Sequence, residues 1–236
     1  MEDFGIFNRS AMLIGENAQK AIGEISVILF GVGGVGSWCA EALVRSGVRR
    51  LTIVDSDRVC ESNVNRQLMA TSRTIGELKV DALKERLLQI NPDAEITALP
   101  MRFSADTAQE FMLDKYDYII DAIDSLKDKA ELIVRACETD AVFFSSMGAA
   151  RKIDPTRIKV GDFWKVRDCP LGAALRKKLR REGRIPAKSF QCVYGDEVLP
   201  VPGGSLVMVT AVFGMNLAAL LVKDLCVRHP VQDTSV

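Results

Sequence analysis

A short apolar run, Ser26–Phe30, passes directly into Gly31-Val32-Gly33-Gly34-Val35-Gly36, and a segment with helical spacing, Val35–Ser46, follows at once. A strand that ends in such a loop and restarts as a helix admits few folds. Glycines at 31, 33 and 36 permit a tight turn and close backbone approach, so a phosphate can meet helix-terminal N–H groups and the positive end of the helix dipole. Leu51–Val54 reads as a second buried strand and ends at Asp55-Ser56-Asp57. An acid at that distance from the loop accepts both ribose hydroxyls. Loop and acid together suit NAD as well as ATP, and do not choose between them.

The remaining pattern extends the same architecture. Glu77–Ile90 is an amphipathic helix with Leu78, Ala82, Leu83, Leu87 and Ile90 inward. Glu95–Leu99 reads as a strand, Ala105–Leu113 as a helix, Tyr118–Ala122 as a strand, Leu126–Glu138 as a helix and Val142–Ser145 as a strand. This alternation predicts an α/β fold, a Rossmann-like doubly wound and mostly parallel sheet. Both faces of such a sheet are covered, which explains why the strands are uniformly apolar. Beyond residue 150 the pattern loosens into an α+β extension: strands at Arg157–Val160 and Phe190–Tyr194, a basic helix Leu171–Arg181, and a long apolar helix from Leu206 to Val222. At 236 residues and 48% hydrophobic, the chain is expected to form one elaborated domain, with a nucleotide-binding core over about 20–150 and a substrate-facing part over about 151–236. The tail 229–236 is expected to fray.

Arg66, Lys79 and Asp124 tip the balance between cofactors. A nicotinamide cofactor has one pyrophosphate, already served by the loop. Bound ATP brings about four negative charges with magnesium, and so calls for further cations and an oxygen ligand. Arg66 lies on a loop after the second strand, Lys79 one turn into the next helix, and both can reach over the crevice at the strand ends. Asp121 and Asp124 leave the fourth strand there, and Asp124 suits the metal.

Gly31–Gly36, Asp55-Ser56-Asp57, Asn63-Val64-Asn65-Arg66-Gln67, Lys79 and Asp121-x-x-Asp124 together resemble the ubiquitin-activating superfamily of adenylating enzymes. Phe7-Asn8-Arg9 with Leu13-Ile14-Gly15 is similar to that family's opening. The resemblance implies ATP binding by Gly31, Gly33, Gly34, Gly36, Asp55, Asp57, Asn63, Arg66, Gln67 and Lys79, with Mg2+ on Asp124. It also implies a homodimer in which Arg9 crosses to the other subunit's phosphates, so that Arg9, Arg66, Lys79 and Asp124 form the catalytic set. A carboxylate attacks the α-phosphate, pyrophosphate leaves, and an acyl-adenylate forms. No general base is needed, because a carboxylate is already ionised at neutral pH.

Two carboxylates compete. One is the C-terminal glycine of a ubiquitin-like sulfur carrier, whose enzymes often carry two late Cys-x-x-Cys zinc pairs that this chain lacks; Cys169 or Cys192 would then be the acyl acceptor. The other belongs to a tRNA nucleoside. Gly148-Ala149-Ala150-Arg151-Lys152-Ile153-Asp154-Pro155, Asp168-Cys169-Pro170-Leu171, Phe190–Glu197 and Gly203-Gly204-Ser205 resemble the branch that dehydrates threonylcarbamoyladenosine in tRNA beside the anticodon. The residues add their own support, since Arg176, Lys177, Lys178, Arg180, Arg181 and Arg184 place six cations in nine positions of a chain with zero formal charge. Such a local polycation suits a phosphate backbone, and Arg151, Lys152, Arg157 and Lys159 extend it. The resemblance leaves room for a sulfur-relay partner of the cysteine desulfurase system. A non-catalytic NAD- or partner-binding module has no use for the triphosphate set. Six scattered cysteines and an N-terminus without a signal peptide predict reduced thiols in the cytoplasm. The apolar helix is slightly short for a bilayer and is expected in the core or at a dimer interface, with peripheral membrane contact as the other reading.

Overall fold

The structure, a computed structural model, describes residues 3–231. Two short helices, α1 (Asn8–Ile14) and α2 (Glu16–Glu24), open the chain. Neither is among the elements the sequence pattern predicts, although α2 is amphipathic and buries Ala18, Gln19 and Ile22; Gly15, at φ +87°, separates them. Then come β1 (Ser26–Phe30), α3 (Gly36–Ser46), β2 (Arg50–Val54), α4 (Lys79–Ile90), β3 (Glu95–Leu99), β4 (Tyr118–Asp121), α5 (Leu126–Glu138), β5 (Val142–Ser146), β6 (Ile158–Asp162), α6 (Pro170–Arg181), β7 (Gln191–Gly195) and α7 (Val207–Arg228). In α4, Ala82, Leu83 and Leu87 are buried as the periodicity predicts, and Val80 joins them.

The seven strands form one sheet in the order β3-β2-β1-β4-β5-β7-β6, parallel except for β6 against β7. The two strands of the extension thus continue the sheet of the nucleotide-binding half. Chain order reverses between β1 and β4, and the crevice beyond the carboxyl ends of the strands at that switch point is where ligands bind in open α/β sheets. Phe30 of β1 pairs with Val54 on one side and Asp121 on the other. Gly31, Asp55 and Ala122 therefore leave the sheet side by side.

Two expected elements differ. The helix over Ala105–Leu113 is replaced by 3-10 turns at Ala108–Phe111 and Leu113–Lys115. Thr107 Oγ1 donates to Arg102 O at 2.8 Å and accepts from the Ser104 N–H, a local bonding pattern that competes with helix. Met112 then takes the left-handed conformation, which ends the segment. The last helix runs six residues beyond Val222, to Arg228. Its Val209, Phe213, Leu217, Leu221 and Leu225 are buried, and a Cβ at Gly214 would lie 2.4 Å from Val35 O, so α7 packs its backbone directly on α3. By length and composition α7 is also apolar enough to cross a membrane, but this buried stripe makes it a core helix. Its outward face exposes Val207, Met208 and Met215. Of the tail expected to fray, residues 232–236 lie outside the described residues.

Candidate active site

A cavity of about 610 Å³ opens over the switch point, within the size range of small-molecule and cofactor sites. Its floor is the glycine loop. Gly31 has φ +83°, and a Cβ there would meet Ala122 O at 2.8 Å; at Gly36 a Cβ would lie 1.8 Å from Gly31 O. Both positions therefore need glycine for close packing. Gly33 and Gly34 line the cavity together with Gly31, and around Gly33 a Cβ would meet only the Gln67 amide, at 3.7 Å. That open space above the N-terminus of α3 is where a phosphate fits.

Asp55 closes β2 with both oxygens anchored. Oδ2 accepts from the Val32 N–H and Oδ1 from the Asp57 N–H, each at 2.9 Å. The acid is thus braced against the glycine loop, and the remaining lone pairs on its two oxygens are available to a ribose. Asp57 binds Lys79, with Nζ–Oδ2 at 2.7 Å. Lys79 is the first residue of α4 rather than one turn in, and its side chain is 7% exposed, so it is a buried group on the cavity wall and not a solvated helix lysine. Arg66 donates from Nη1 to Ser62 O and Asn65 Oδ1 at 2.8 and 2.9 Å, while its own carbonyl accepts from Trp38 Nε1. Asn65 Nδ2 donates to Ser205 O at 3.0 Å and so ties this loop to the start of α7.

Gln67 is buried on the cavity wall, and its Oε1 has no hydrogen-bond partner. A buried polar atom without a partner beside a cavity marks a place for a ligand. Asp124 lines the same cavity, exposed and with no side-chain bond among the described residues. No group of three or more His, Cys, Asp or Glu side chains is placed to hold a metal ion among the described residues. A single carboxylate fits magnesium, which keeps phosphate oxygens and waters in most of its coordination sphere.

Several expected site residues stand elsewhere. Asn63 does not line the cavity; it is buried beneath the loop, where Oδ1 accepts from the Cys60 N–H at 3.2 Å and caps the turn Glu61–Asn63. In this structure its side chain supports the loop from outside the cavity lining. Arg9 is exposed on α1, outside the cavity of its own chain. The basic helix borders the cavity only through Leu171, and much of its charge is engaged internally. Arg176 donates to Phe163 O at 2.9 Å, Arg180 lies over the Trp164 ring, Lys178 pairs with Glu182 and Arg184 with Glu131. Lys177 and Arg181 are the cations of α6 that project into solvent without a close partner among the described residues, Arg181 standing 3.8 Å from Glu182. Arg151 and Lys152 are tied to the carbonyls of Leu199 and Glu197, and Arg157 and Lys159 share Asp196.

The two candidate acyl-capturing cysteines are packing residues by their surroundings. Cys192 is fully buried and its thiol is pushed up to about 12 by that burial; Cys169 is 3% exposed and lies outside the cavity lining. Sequence reasoning missed other parts of the cavity wall. Arg102 grips the buried Asp128 with Nε and Nη2 at 2.9 and 2.6 Å, and Met101, Phe103, Ser146 and Thr210 also line the space. It also missed a buried lysine, Lys129, under the loop that carries Asp124.

Fold and cavity together define a Rossmann-type nucleotide-binding protein whose site suits a polyphosphate. The chain belongs to the ThiF family, which it matches over residues 7–233. It is 42% identical over 191 residues to the tRNA threonylcarbamoyladenosine dehydratase of Bacillus subtilis, covering 81% of this chain and 74% of that one. It is 29% identical over 219 residues to a sulfur carrier protein adenylyltransferase of Thermus thermophilus, covering 89% and 77%. Among solved structures it is similar to the Escherichia coli tRNA N6-threonylcarbamoyladenosine dehydratase TcdA in complex with ATP, with TM-score 0.89, 35% identity and 94% of each chain covered.

Proposed function

We propose that this chain is an ATP-dependent dehydratase that cyclises N6-threonylcarbamoyladenosine in tRNA. One observation carries the choice of substrate: over comparable shares of the chain, identity is 42% to a dehydratase and 29% to a sulfur-carrier adenylyltransferase. The glycine loop and the cations at Arg66 and Lys79 meet the phosphates. Asp55 accepts from the ribose, and Asp124 holds magnesium, which supplies charge neutralisation when bound. The orphan oxygen of Gln67 and the open space over Gly33 support that fit. The free carboxylate of the threonylcarbamoyl group attacks the α-phosphate and pyrophosphate leaves. The neighbouring carbamoyl group then attacks the activated carbonyl, closing a ring and expelling AMP, for a net loss of one water. Because the second step is intramolecular, orientation supplies much of its rate and no protein nucleophile is required. The burial of Cys169 and Cys192 agrees with that chemistry.

The working unit in this reading is a homodimer, with the whole chain acting as one catalytic domain. Exposed Ile6, Met12 and Leu13 on and before α1, and Met208 and Met215 on α7, supply apolar surface for a second copy. Arg9 then reaches the partner's phosphates. Lys177 and Arg181 face solvent and are the basic residues best placed for tRNA. All six cysteines are free thiols, which supports a cytoplasmic location. Mass spectrometry of tRNA nucleosides from cells lacking the protein tests the proposal: the modified adenosine should gain one water. An unchanged nucleoside, with loss of a thiolated product instead, would select the sulfur-carrier reading.

A further inference from the structure

We propose that Lys129, through its buried ion pair with Asp121, is a positioning residue that sets the loop 122–125 and thereby the nucleotide-binding geometry of the cavity. This rests on the nucleotide-binding part of the reading above and not on the identity of the acceptor.

Lys129 and Asp121 are both 0% exposed, with Nζ–Oδ2 at 2.7 Å. The pair does not stand alone. Lys129 Nζ also donates to Ile123 O at 2.8 Å, and Asp121 Oδ1 accepts from the Ile123 N–H at 2.9 Å. Ser145 of β5 donates to Asp121 Oδ2 at 2.6 Å. Both polar backbone groups of Ile123 are therefore held by one charged pair, and the next residue is Asp124. Ala122, Ile123, Asp124 and Ser125 all line the cavity, whereas Lys129 and Asp121 do not. Whatever the pair does for ligand binding, it does through the backbone of that loop.

The loop has two reasons to need such a brace. It lies between β4 and α5 with no repeated hydrogen bonding of its own, so its backbone groups must be satisfied from elsewhere. It is also in close contact with the glycine loop, since a Cβ at Gly31 would sit 2.8 Å from Ala122 O and 3.2 Å from Ile123 N. A shift of residues 122–125 would press on the phosphate-binding turn as well as move Asp124. Two desolvated charges are a poor device for stability alone, because well-packed apolar residues of similar volume often match or exceed them. Apolar side chains, however, cannot bind the Ile123 N–H and C=O. The network does what a packed core at the same place would not: it fixes the two peptide units that flank Ile123 on the wall of the cavity.

The test uses the full-length protein and reads ATP affinity by calorimetry without tRNA, so a wrong acceptor assignment leaves it intact. Asp121→Leu with Lys129→Met leaves the Ile123 N–H and C=O without side-chain partners and is expected to weaken ATP binding by about 10-fold or more, the scale seen when the outer partners of metal ligands are removed. Asp121→Asn with Lys129→Gln keeps neutral hydrogen-bonding groups at both positions and should restore most of the affinity. ATP binding at wild-type strength in the Leu/Met pair would overturn the proposal. Hydrogen exchange of the unaltered, nucleotide-free protein gives a second reading that does not depend on any variant folding. The Ile123 amide should exchange as slowly as the amides of β4, and exchange at the rate of exposed loop amides would equally overturn it.

Discussion

The end of β2 and the helix α6 are both charged regions in the sequence, and they fare differently in three dimensions. At the end of β2, Asp55, Asp57 and Lys79 come from positions set by strand and helix boundaries. All three line one cavity, with Asp55 braced on Val32 and Asp57 on Lys79. On α6 the signal was composition, six cations in nine residues, and the fold engages most of them with Phe163, Trp164, Glu182 and Glu131. Signals carried by spacing at strand ends survive folding, because the parallel sheet dictates where those ends lie. A charge run carries no such instruction, and its neighbours across the fold determine how much of it stays free.

The largest expected effect lies at the strand ends. Asp124→Ala should lower ATP-dependent turnover of modified tRNA by roughly 10²–10³ or more, with an unchanged thermal midpoint; retained turnover would remove the metal assignment. Lys79→Ala should cost on the order of 10² in kcat/KM by loss of a preorganised cation. Mixing Lys79→Ala with Arg9→Ala subunits should then recover activity in heterodimers, where one site has both native groups. No recovery would break the trans role of Arg9.

On α6 and the turn that follows it the contrast sharpens within nine residues. Lys177→Ala with Arg181→Ala should weaken tRNA binding and reduce the slope of log affinity against log salt by about 1 for each phosphate that no longer meets a cation, leaving stability alone. Arg184→Ala should do the reverse, with a stability loss of ~1 kcal/mol or less for a partly exposed pair and little change in salt slope. If all three substitutions flatten the slope equally, the division between free and engaged cations fails. The Arg184 effect should also depend on pH. The Arg184 guanidinium, with Arg135, holds the Glu131 carboxyl below the usual carboxylate range. The pair's contribution is therefore full above the ordinary carboxylate pKa, near 4.3, and is lost as pH falls through the lower folded value. Equal losses at neutral and strongly acidic pH would contradict this. The smallest effect is chemical: iodoacetamide at neutral pH should label exposed Cys60, whose pKa is lowered chiefly by a hydrogen bond from Ser62, and leave buried Cys192 untouched while the protein is native. Peptide mass mapping reads this directly.

Most strands and helices of the nucleotide-binding half were legible because short apolar runs, a helical period of 3.6 residues and a glycine or acid at a boundary are local properties. The Ala105–Leu113 segment misled because Thr107 turns its hydroxyl onto the local backbone, a choice invisible to periodicity. Arg66, Gln67, Lys79 and Asp124 were legible as a set, since each follows a strand and the sheet gathers strand ends. Asn63 belonged to the same motif, but its side chain caps a turn behind the wall. Lys129 gave no sign at all: in sequence it is one more lysine in an amphipathic helix.

The amino-acid order by itself determined the doubly wound sheet, the crevice between β1 and β4, and the acids and cations delivered to it. Alternation of apolar runs with glycine and acidic boundaries is enough to specify those. Only tertiary structure decided that Lys129 lies beside Asp121 with both charges out of water, that Lys79 turns inward onto Asp57, and that the basic helix keeps few free charges. Burial and pairing depend on groups distant in the chain: Lys79 from Asp57, Arg184 from Glu131, Ser145 from Asp121. No local pattern records which of them will meet.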